Sequence, residues 1–118
     1  MPASEDRSTA RRRVESELLN DTLNFDREVE RLKAVGEETR FTVLYLLNAE
    51  DGLHSGELAD LLDRKQNDLY HHLNRLEDAG LVGKRRADDG GRIYELSPLA
   101  EAMVEPLFDS IQSRAEAV

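Results

Sequence analysis

Residues 66–96 most constrain the fold, because a helical pattern there ends at a glycine and two strand patterns follow at once. Three leucines recur at the spacing of one helix face: Leu69, Leu73 and Leu76. Gly80 is a typical residue for a helix C-terminus. Val82–Arg86 and Arg92–Leu96 are short strand patterns, joined by Asp-Gly and Gly-Gly steps that supply the positive φ angles of a hairpin turn. We therefore predict a helix followed directly by a two-stranded β-hairpin.

Two further helices are predicted before this segment. Residues 37–49 contain the densest apolar stretch of the chain and predict a central core helix. A short helix follows, with His54 or Ser55 at its N-cap and its leucines facing inward. After a three-residue turn, Asp63 and Gln66 have the spacing of a capping box for the next helix. The short helix and its successor are therefore spaced as in a helix-turn-helix.

The two ends of the chain also have helical patterns. Residues 8–35 lack proline and glycine and carry one narrow apolar stripe, which predicts a long first helix. Ser97 and Pro98 place an N-cap and a first-turn proline before a final helix. Pro106 lies inside that helix and removes a backbone hydrogen bond, so we expect a kink or two abutting pieces there. The predicted fold class is mainly α with a two-stranded β wing, a winged helix-turn-helix with long N- and C-terminal helices.

Length and composition bound the kind of protein. A chain of 118 residues is long enough for one domain and too short for two. We therefore predict a disordered N-terminus, residues 1–7, followed by a single domain over residues 8–118. The chain has no cysteine, which excludes disulfides, thiolate metal sites and a cysteine nucleophile. No apolar run approaches the roughly 18 residues of a membrane span, and the polar start lacks the apolar region of a secretory signal. We therefore expect a cytoplasmic protein.

Together these motifs resemble the ArsR-like winged-helix transcriptional regulators of bacteria and archaea, over about residues 32–105. The most specific part is KQNDLYHHLNRLEDAGLV, residues 65–82, which is similar to the family's SxxVSxHLxxLxxAGLV-like pattern. The stretches GEETR and GELA, residues 36–40 and 56–59, add to the resemblance. Two residues depart from the family: Lys65 stands where Ser or Thr is common, and His54 stands where Thr is frequent.

The resemblance implies that the helix carrying this pattern enters the major groove of DNA, that the wing touches the backbone or minor groove, and that the terminal helices form a dimer. The implied helix contacts are Lys65, Gln66, Asn67, Tyr70, His71 and Asn74, and the implied wing contacts are Lys84, Arg85, Arg86 and Arg92. To these we add Ser55, at the start of the short helix, and Arg75, which flanks the outward face of the next helix. The predicted dimer contacts are Leu18, Phe25, Leu99, Met103, Leu107 and Ile111.

The helical period supports these contacts independently of the resemblance. If the three leucines face inward, Asn67, His71, Asn74 and Asp78 point outward. Amide side chains can pair bidentately with adenine, and Tyr, His, Arg and Lys can donate to phosphates or base acceptors. The alternatives are a solvated helix face and a hairpin that is charged only to protect a sheet edge.

The net charge of the chain, −9, argues against binding to a nucleic acid, because phosphate binding usually depends on Lys and Arg. The one positive segment is residues 64–92, with seven Lys or Arg against five Asp or Glu. The acid-rich surface resembles that of haloarchaeal proteins, which work at molar salt, where the Debye length is about 3 Å and distant acids matter little. A local basic strip is then sufficient. The alternative is that the acidity serves solubility and the protein binds another partner.

Other chemistry has little support in the sequence. His71 and His72 are adjacent on a helix and cannot share one metal ion, and we interpret His72 as a packed, hydrogen-bonded residue. A carboxylate site for a hard cation stays open on the final helix, from Glu101, Glu105 and Asp109. No catalytic motif is present, so we expect a protein that is not an enzyme and has no cofactor or metal.

These inferences predict a sequence-specific transcriptional regulator that binds an inverted repeat in double-stranded DNA as a homodimer. They favour repression over activation. The predicted partners are duplex DNA and a second copy of the chain, with no membrane. The effector ligand is left open. Two alternatives are a winged-helix module that binds another protein and a sequence-neutral architectural protein that coats DNA.

Overall fold

The structure, a computed structural model, describes residues 9–117, and its contacts divide the chain into one unit that ends at Lys33 and a second that begins at Ala34. The segment predicted to be disordered, residues 1–7, lies outside the described residues. That residues 8–118 form one domain stays a prediction. Among the described helices, none is both long and apolar enough to cross a lipid bilayer.

The first helical stretch is broken where the sequence predicted one long helix. Helix α1, residues 9–18, ends in a π-helical turn, and α2 begins at Phe25 and runs to Val35. Between them, Asn20 and Asp21 adopt left-handed backbone conformations, with φ of 55° and 50°. These residue types enter that conformation at lower cost than others and bond to nearby backbone groups. The prediction of one helix over residues 8–35 is therefore wrong.

The second unit has the predicted winged helix-turn-helix order. Its elements are α3 (Glu38–Glu50), β1 (Leu53–His54), α4 (Ser55–Leu62), α5 (Gln66–Asp78), β2 (Val82–Arg86), β3 (Arg92–Leu96) and α6 (Pro98–Glu116). The hairpin of β2 and β3 has the predicted bounds. The sheet nevertheless has three antiparallel strands in the order β1-β3-β2, because β1 pairs with β3 through Leu53 and Tyr94. The two-stranded prediction missed β1.

The core of the second unit lies around α3, which packs against α5, α6 and β3. The three leucines predicted to face inward from α5 are at most 1% exposed. They pack with fully buried residues of α3, α4 and β3, namely Val43, Leu44, Leu58 and Tyr94. Burial of each such aliphatic side chain contributes about 1.5–3 kcal/mol, so α5 is fixed by its apolar face and leaves its polar face outward.

The caps differ from one of the sequence predictions. Asp63 has a left-handed φ of 52° and ends α4, so the proposed capping box with Gln66 is wrong. Lys65 is the N-cap of α5, with no side-chain hydrogen bond to that helix within the described chain. The capping box occurs instead at α4: Nδ1 of His54 accepts the N–H of Gly56 at 3.1 Å, and Glu57 accepts the N–H of His54 at 3.0 Å.

The final helix begins as the sequence predicts. The hydroxyl of Ser97 accepts the N–H of Ala100 at 3.1 Å and donates to the carbonyl of Gly80 at 2.7 Å. Gly80 itself has a φ of 74° and follows the last turn of α5, as a helix stop requires. Pro106 does not divide α6, which continues to Glu116, so the alternative of two abutting pieces is wrong, and a kink at Pro106 stays a prediction.

Candidate nucleic-acid interface

The outward face of α5 carries the predicted polar row. Asn67, His71, Asn74 and Asp78 are all exposed, on the side opposite the buried leucines. Tyr70 is half-buried, and its hydroxyl donates to Oε1 of Gln66 at 3.4 Å. The row therefore presents two amides, an imidazole and a carboxylate to solvent, and the phenol of Tyr70 beside it contacts the amide of Gln66.

The two strands of the wing place their cations on different faces. Lys84, Arg86 and Arg92 share one face, since side chains alternate along each strand and Arg86 lies directly opposite Arg92. Arg85 is on the other face. Like charges directly opposite each other in a ladder repel, and an anion bound between them would relieve that repulsion.

Two of the wing cations are near acids of the same chain. Nζ of Lys84 lies 3.2 Å from Oε1 of Glu77 on α5, and Nε of Arg85 lies 3.8 Å from Oε2 of Glu95. Exposed pairs of this kind contribute about 0–1 kcal/mol, so they do not prevent either cation from meeting a phosphate. Within residues 9–117 no ion pair involves Arg86 or Arg92, which makes these two the most available cations of the wing.

The remaining predicted contacts divide by burial. Lys65 and Arg75 are exposed, whereas Ser55 is only 4% exposed at the start of α4 and does not share the open surface. Arg64 is also exposed, in the turn before α5. Arg64 is not among the contacts predicted from the sequence, although its place in the turn of a helix-turn-helix, next to a lysine, is a signal for it.

Arg40 supports α5 from the core side. Its side chain is 10% exposed, and Nε donates to the carbonyl of Ala34 at 2.9 Å. One terminal nitrogen lies 3.1 Å from Nδ1 of His72 on α5 and 3.9 Å from Oε2 of Glu37. An arginine can only donate, so Nδ1 of His72 accepts and His72 is neutral with its proton on Nε2. His72 is thus a packed, hydrogen-bonded residue, as the sequence predicted.

Charges and burial around this cluster shift two pKa values downward. Desolvation lowers the pKa of His72 below 6.5, and Arg40, Arg64 and His71 lower it further against the opposing effect of Glu37. Desolvation acts to raise the pKa of Glu37. The backbone N–H groups of Arg40 and Thr39, the charge of His72 once it is protonated at acidic pH, and the charge of Arg40 outweigh that effect and bring the pKa below 4.5.

We expect the free energy of unfolding to fall as the pH drops below about 6.5. A histidine with a lower pKa in the folded state binds fewer protons there than in the unfolded chain. Its contribution is therefore complete above the unfolded pKa and is lost as the pH falls toward the folded one. Glu37 adds a loss in the same direction below about 4.5.

Urea unfolding across a pH series measures this effect. The His72→Asn variant keeps an acceptor for Arg40 but cannot be protonated, so it should lose the part of the dependence nearest neutral pH. Equal stability of the wild type at about pH 7 and about pH 5.5 would contradict the expectation.

None of the residues predicted for a dimer interface is fully buried in the single chain, although Phe25 is half-buried and Met103 and Leu107 pack in part against the core of the second unit. In the first unit Leu18 is 76% exposed, and in α6 Leu99 and Ile111 are 40% and 36% exposed. Ile111 also lines an open groove of about 370 Å³ with three aromatic residues and an amide: Phe41, Tyr45, Phe108 and Gln112. The two phenylalanine rings meet edge to face at 5.6 Å. The second unit thus exposes apolar surface between α3 and α6.

No metal site accompanies these surfaces in the part of the chain that the structure describes. There, no three histidine, aspartate or glutamate side chains come together as metal ligands. The three acids of the final helix that were considered for a hard cation follow one another at four-residue intervals: Glu101, Glu105 and Asp109.

Comparison with known proteins shows which protein family this chain is similar to. Residues 35–85 match a family model described as a helix-turn-helix domain. A protein of Halobacterium salinarum, provisionally named arsenical resistance operon repressor ArsR2, is 34% identical over 91 residues, which cover 76% of this chain and 74% of that protein. An HTH-type transcriptional regulator of Methanocaldococcus jannaschii is 34% identical over 62 residues, covering 52% of this chain and 70% of that protein.

A solved structure of another protein has a similar fold. HlyU from Vibrio cholerae superposes with a TM-score of 0.65 at 34% identity, over 73% of this chain and 92% of that protein. The family model spans α3, α4 and α5 and enters the wing at β2.

Proposed function

The chain belongs to the ArsR-like winged helix-turn-helix transcriptional regulators, and on that premise we propose that it is a homodimeric repressor that binds an inverted repeat in duplex DNA. In this proposal α5 lies in the major groove and contacts base edges. The wing contacts phosphates beside it. The protein has no enzymatic role.

One observation carries the proposal: exposed amides and cations lie on neighbouring elements of one compact unit. Asn67 and Asn74 offer the bidentate groups that match adenine. Lys84 links the wing to α5 through Glu77, and Arg86 and Arg92 share its face of the hairpin, closer to the tip. This division gives base contacts to the helix and most phosphate contacts to the wing.

The acidity of the chain fits binding at high salt. At about 1 M salt the Debye length is near 3 Å, so the distant acids of a chain with net charge −9 repel DNA little. The same salt weakens phosphate contacts, because releasing a counterion into a more concentrated salt solution gains less entropy. Base contacts by α5 should therefore supply a larger share of the affinity than in a basic regulator. DNA binding should accordingly be measured in molar KCl.

In a symmetric dimer, the α5 helices of the two subunits would lie on the same side of the dimer. The exposed apolar residues of α6, Leu99 and Ile111, and the groove beside Tyr45 are the surface we assign to that contact in the second unit. Leu18 and Phe25 are the residues we assign to it in the first. Two helices presented in this way enter major grooves about 34 Å apart, which predicts an inverted repeat. A dimer bound over a promoter would exclude polymerase, which favours repression.

The direct test is fluorescence anisotropy with a duplex enriched from a random library by the wild-type protein. A triple alanine variant of Asn67, His71 and Arg85 should bind this duplex much more weakly than the wild type. Thermal unfolding is the control, because all three side chains are exposed and should not alter stability. Equally poor binding by both proteins would contradict the proposal and favour a protein-binding module.

Removing the wing arginines should reduce the salt dependence of binding. We expect Arg86→Ala with Arg92→Ala to lower the slope of log K against log salt by about 1 for each arginine that contacts phosphate, in each bound subunit. The loss should be similar on enriched and scrambled duplexes, because phosphate contacts carry no sequence information. A matched control, Arg27→Ala with Arg114→Ala, removes the same charge outside α5 and the wing. An unchanged slope in the wing variant, or an equal change in both, would show that the wing does not hold phosphates.

A further inference from the structure

The imidazole of His54 joins the start of α4 to the tip of the wing. Its Nδ1 accepts the N–H of Gly56, which fixes the proton of the neutral ring on Nε2. That Nε2 is buried and has no hydrogen-bond partner among the described residues, and its nearest acid is Oδ2 of Asp89 at 3.5 Å. A buried donor without a partner is costly, so a small closure of the wing tip onto this ring is favoured.

The wing tip is shaped for this contact. Oδ1 of Asp89 accepts the N–H of Gly91 at 2.9 Å, which leaves Oδ2 turned toward His54. The bond from the Gly91 N–H, followed by the influence of His54, holds the pKa of Asp89 below its usual range, so the carboxylate is ionised near neutral pH. The approach is close: a Cβ at Gly91 would overlap Nε2 of His54 and lie 2.7 Å from its Cε1, so a larger residue there would displace the imidazole.

An N-cap alone does not explain a histidine at this position. Ser, Thr, Asn or Asp accepts the N–H groups of a helix start equally well, but these side chains are too short to span the distance to the wing. The backbone of His54 also pairs with Ile93 of β3, so the ring lies beside the strand that leads out of the tip. The contact therefore connects the helix-turn-helix to the far end of the hairpin.

We propose that His54, Asp89 and Gly91 dock the wing tip on the start of α4 and thereby set the position of the wing cations relative to α5. The inference rests on the proposed function for its effect on DNA. His54 and Asp89 are positioning residues, since Arg86 and Arg92 touch the phosphates and these two hold the hairpin that carries them. An acid in a phosphate-binding wing thus increases affinity, because an undocked tip would have to be ordered when DNA binds.

Adjacent carboxylates provide a matched test. Asp88→Asn and Asp89→Asn remove the same charge from neighbouring exposed positions of the tip. If charge alone matters, both variants should bind the enriched duplex slightly more tightly. Docking predicts that Asp89→Asn binds about three- to tenfold more weakly, whereas Asp88→Asn does not. Equal affinities of the two variants would overturn the proposal.

A second variant separates docking from capping. His54→Asn keeps a good N-cap but cannot reach Asp89, so it should weaken binding as Asp89→Asn does, and the double variant should lose little more. Backbone ¹⁵N order parameters of residues 88–91, measured without DNA, should fall in His54→Asn and Asp89→Asn but not in Asp88→Asn. Unchanged order parameters would overturn the docking contact. A wild type that binds no duplex would contradict the proposed function instead, and the relaxation data would still decide the contact.

Discussion

Alanine at Asn67, His71 and Asn74 together is expected to abolish sequence-specific binding while leaving the fold intact. Each good bidentate base contact is worth about 1–3 kcal/mol of discrimination, and the two amides act in each of two subunits. Their sum, about 4–12 kcal/mol, is comparable to the roughly 4–10 kcal/mol that separates specific from non-specific binding in regulators of this kind. The variant should therefore bind its best site no better than any other duplex.

Competition anisotropy with enriched and scrambled duplexes measures this loss. The scrambled duplex is the internal control, since its affinity depends on phosphate contacts that the variant keeps. Thermal unfolding should be unchanged because all three residues are exposed. If affinity for both duplexes falls by the same factor, α5 contributes only non-specific contacts, and the protein is closer to a sequence-neutral architectural protein.

Replacement of Arg40 by methionine is expected to lower the free energy of unfolding by about 2–5 kcal/mol. Methionine fills much of the same space but cannot donate. The carbonyl of Ala34 would then lose its bond at 2.9 Å, and Nδ1 of His72 its bond at 3.1 Å. Both acceptors lie in the low-dielectric region beneath α5, where an unsatisfied polar atom costs about 1–3 kcal/mol.

Urea unfolding of Arg40→Met gives the magnitude, and Arg114→Met is its control. Arg114 is exposed near the end of α6, so its replacement should change stability by less than about 0.5 kcal/mol. A loss below about 1 kcal/mol in Arg40→Met would show that the cluster of Arg40, His72 and Glu37 does not hold α5 to α3.

The parts of the fold that the sequence predicts well depend on local signals. The hairpin has the predicted bounds because strand alternation and the Asp-Gly and Gly-Gly steps act within a few residues. Gly80 and Ser97 are caps whose effect is equally local. Two predictions failed where local signals compete. Asn20 and Asp21 interrupt an apolar stripe that continues across them. Asp63 does not cap the start of α5, because it is the left-handed C-cap residue of α4.

Long-range contacts set the features that the sequence could not predict. Strand β1 has two residues and exists only because Leu53 meets Tyr94 of β3. The same holds for the site. The period of α5 predicts which side chains point outward, but the pairing of Lys84 with Glu77, the burial of Ser55 and the partners of His72 and His54 depend on residues distant in sequence.

On DNA, we expect two copies of α5, one from each subunit, to occupy successive major grooves with a wing beside each. Hydroxyl-radical footprinting of the enriched duplex in molar KCl tests it most directly. We predict two protected regions on one face of the duplex, related by symmetry, with centres about 10 base pairs apart. A single short footprint would contradict the dimer, and protection spread evenly along the duplex would contradict sequence-specific recognition by α5.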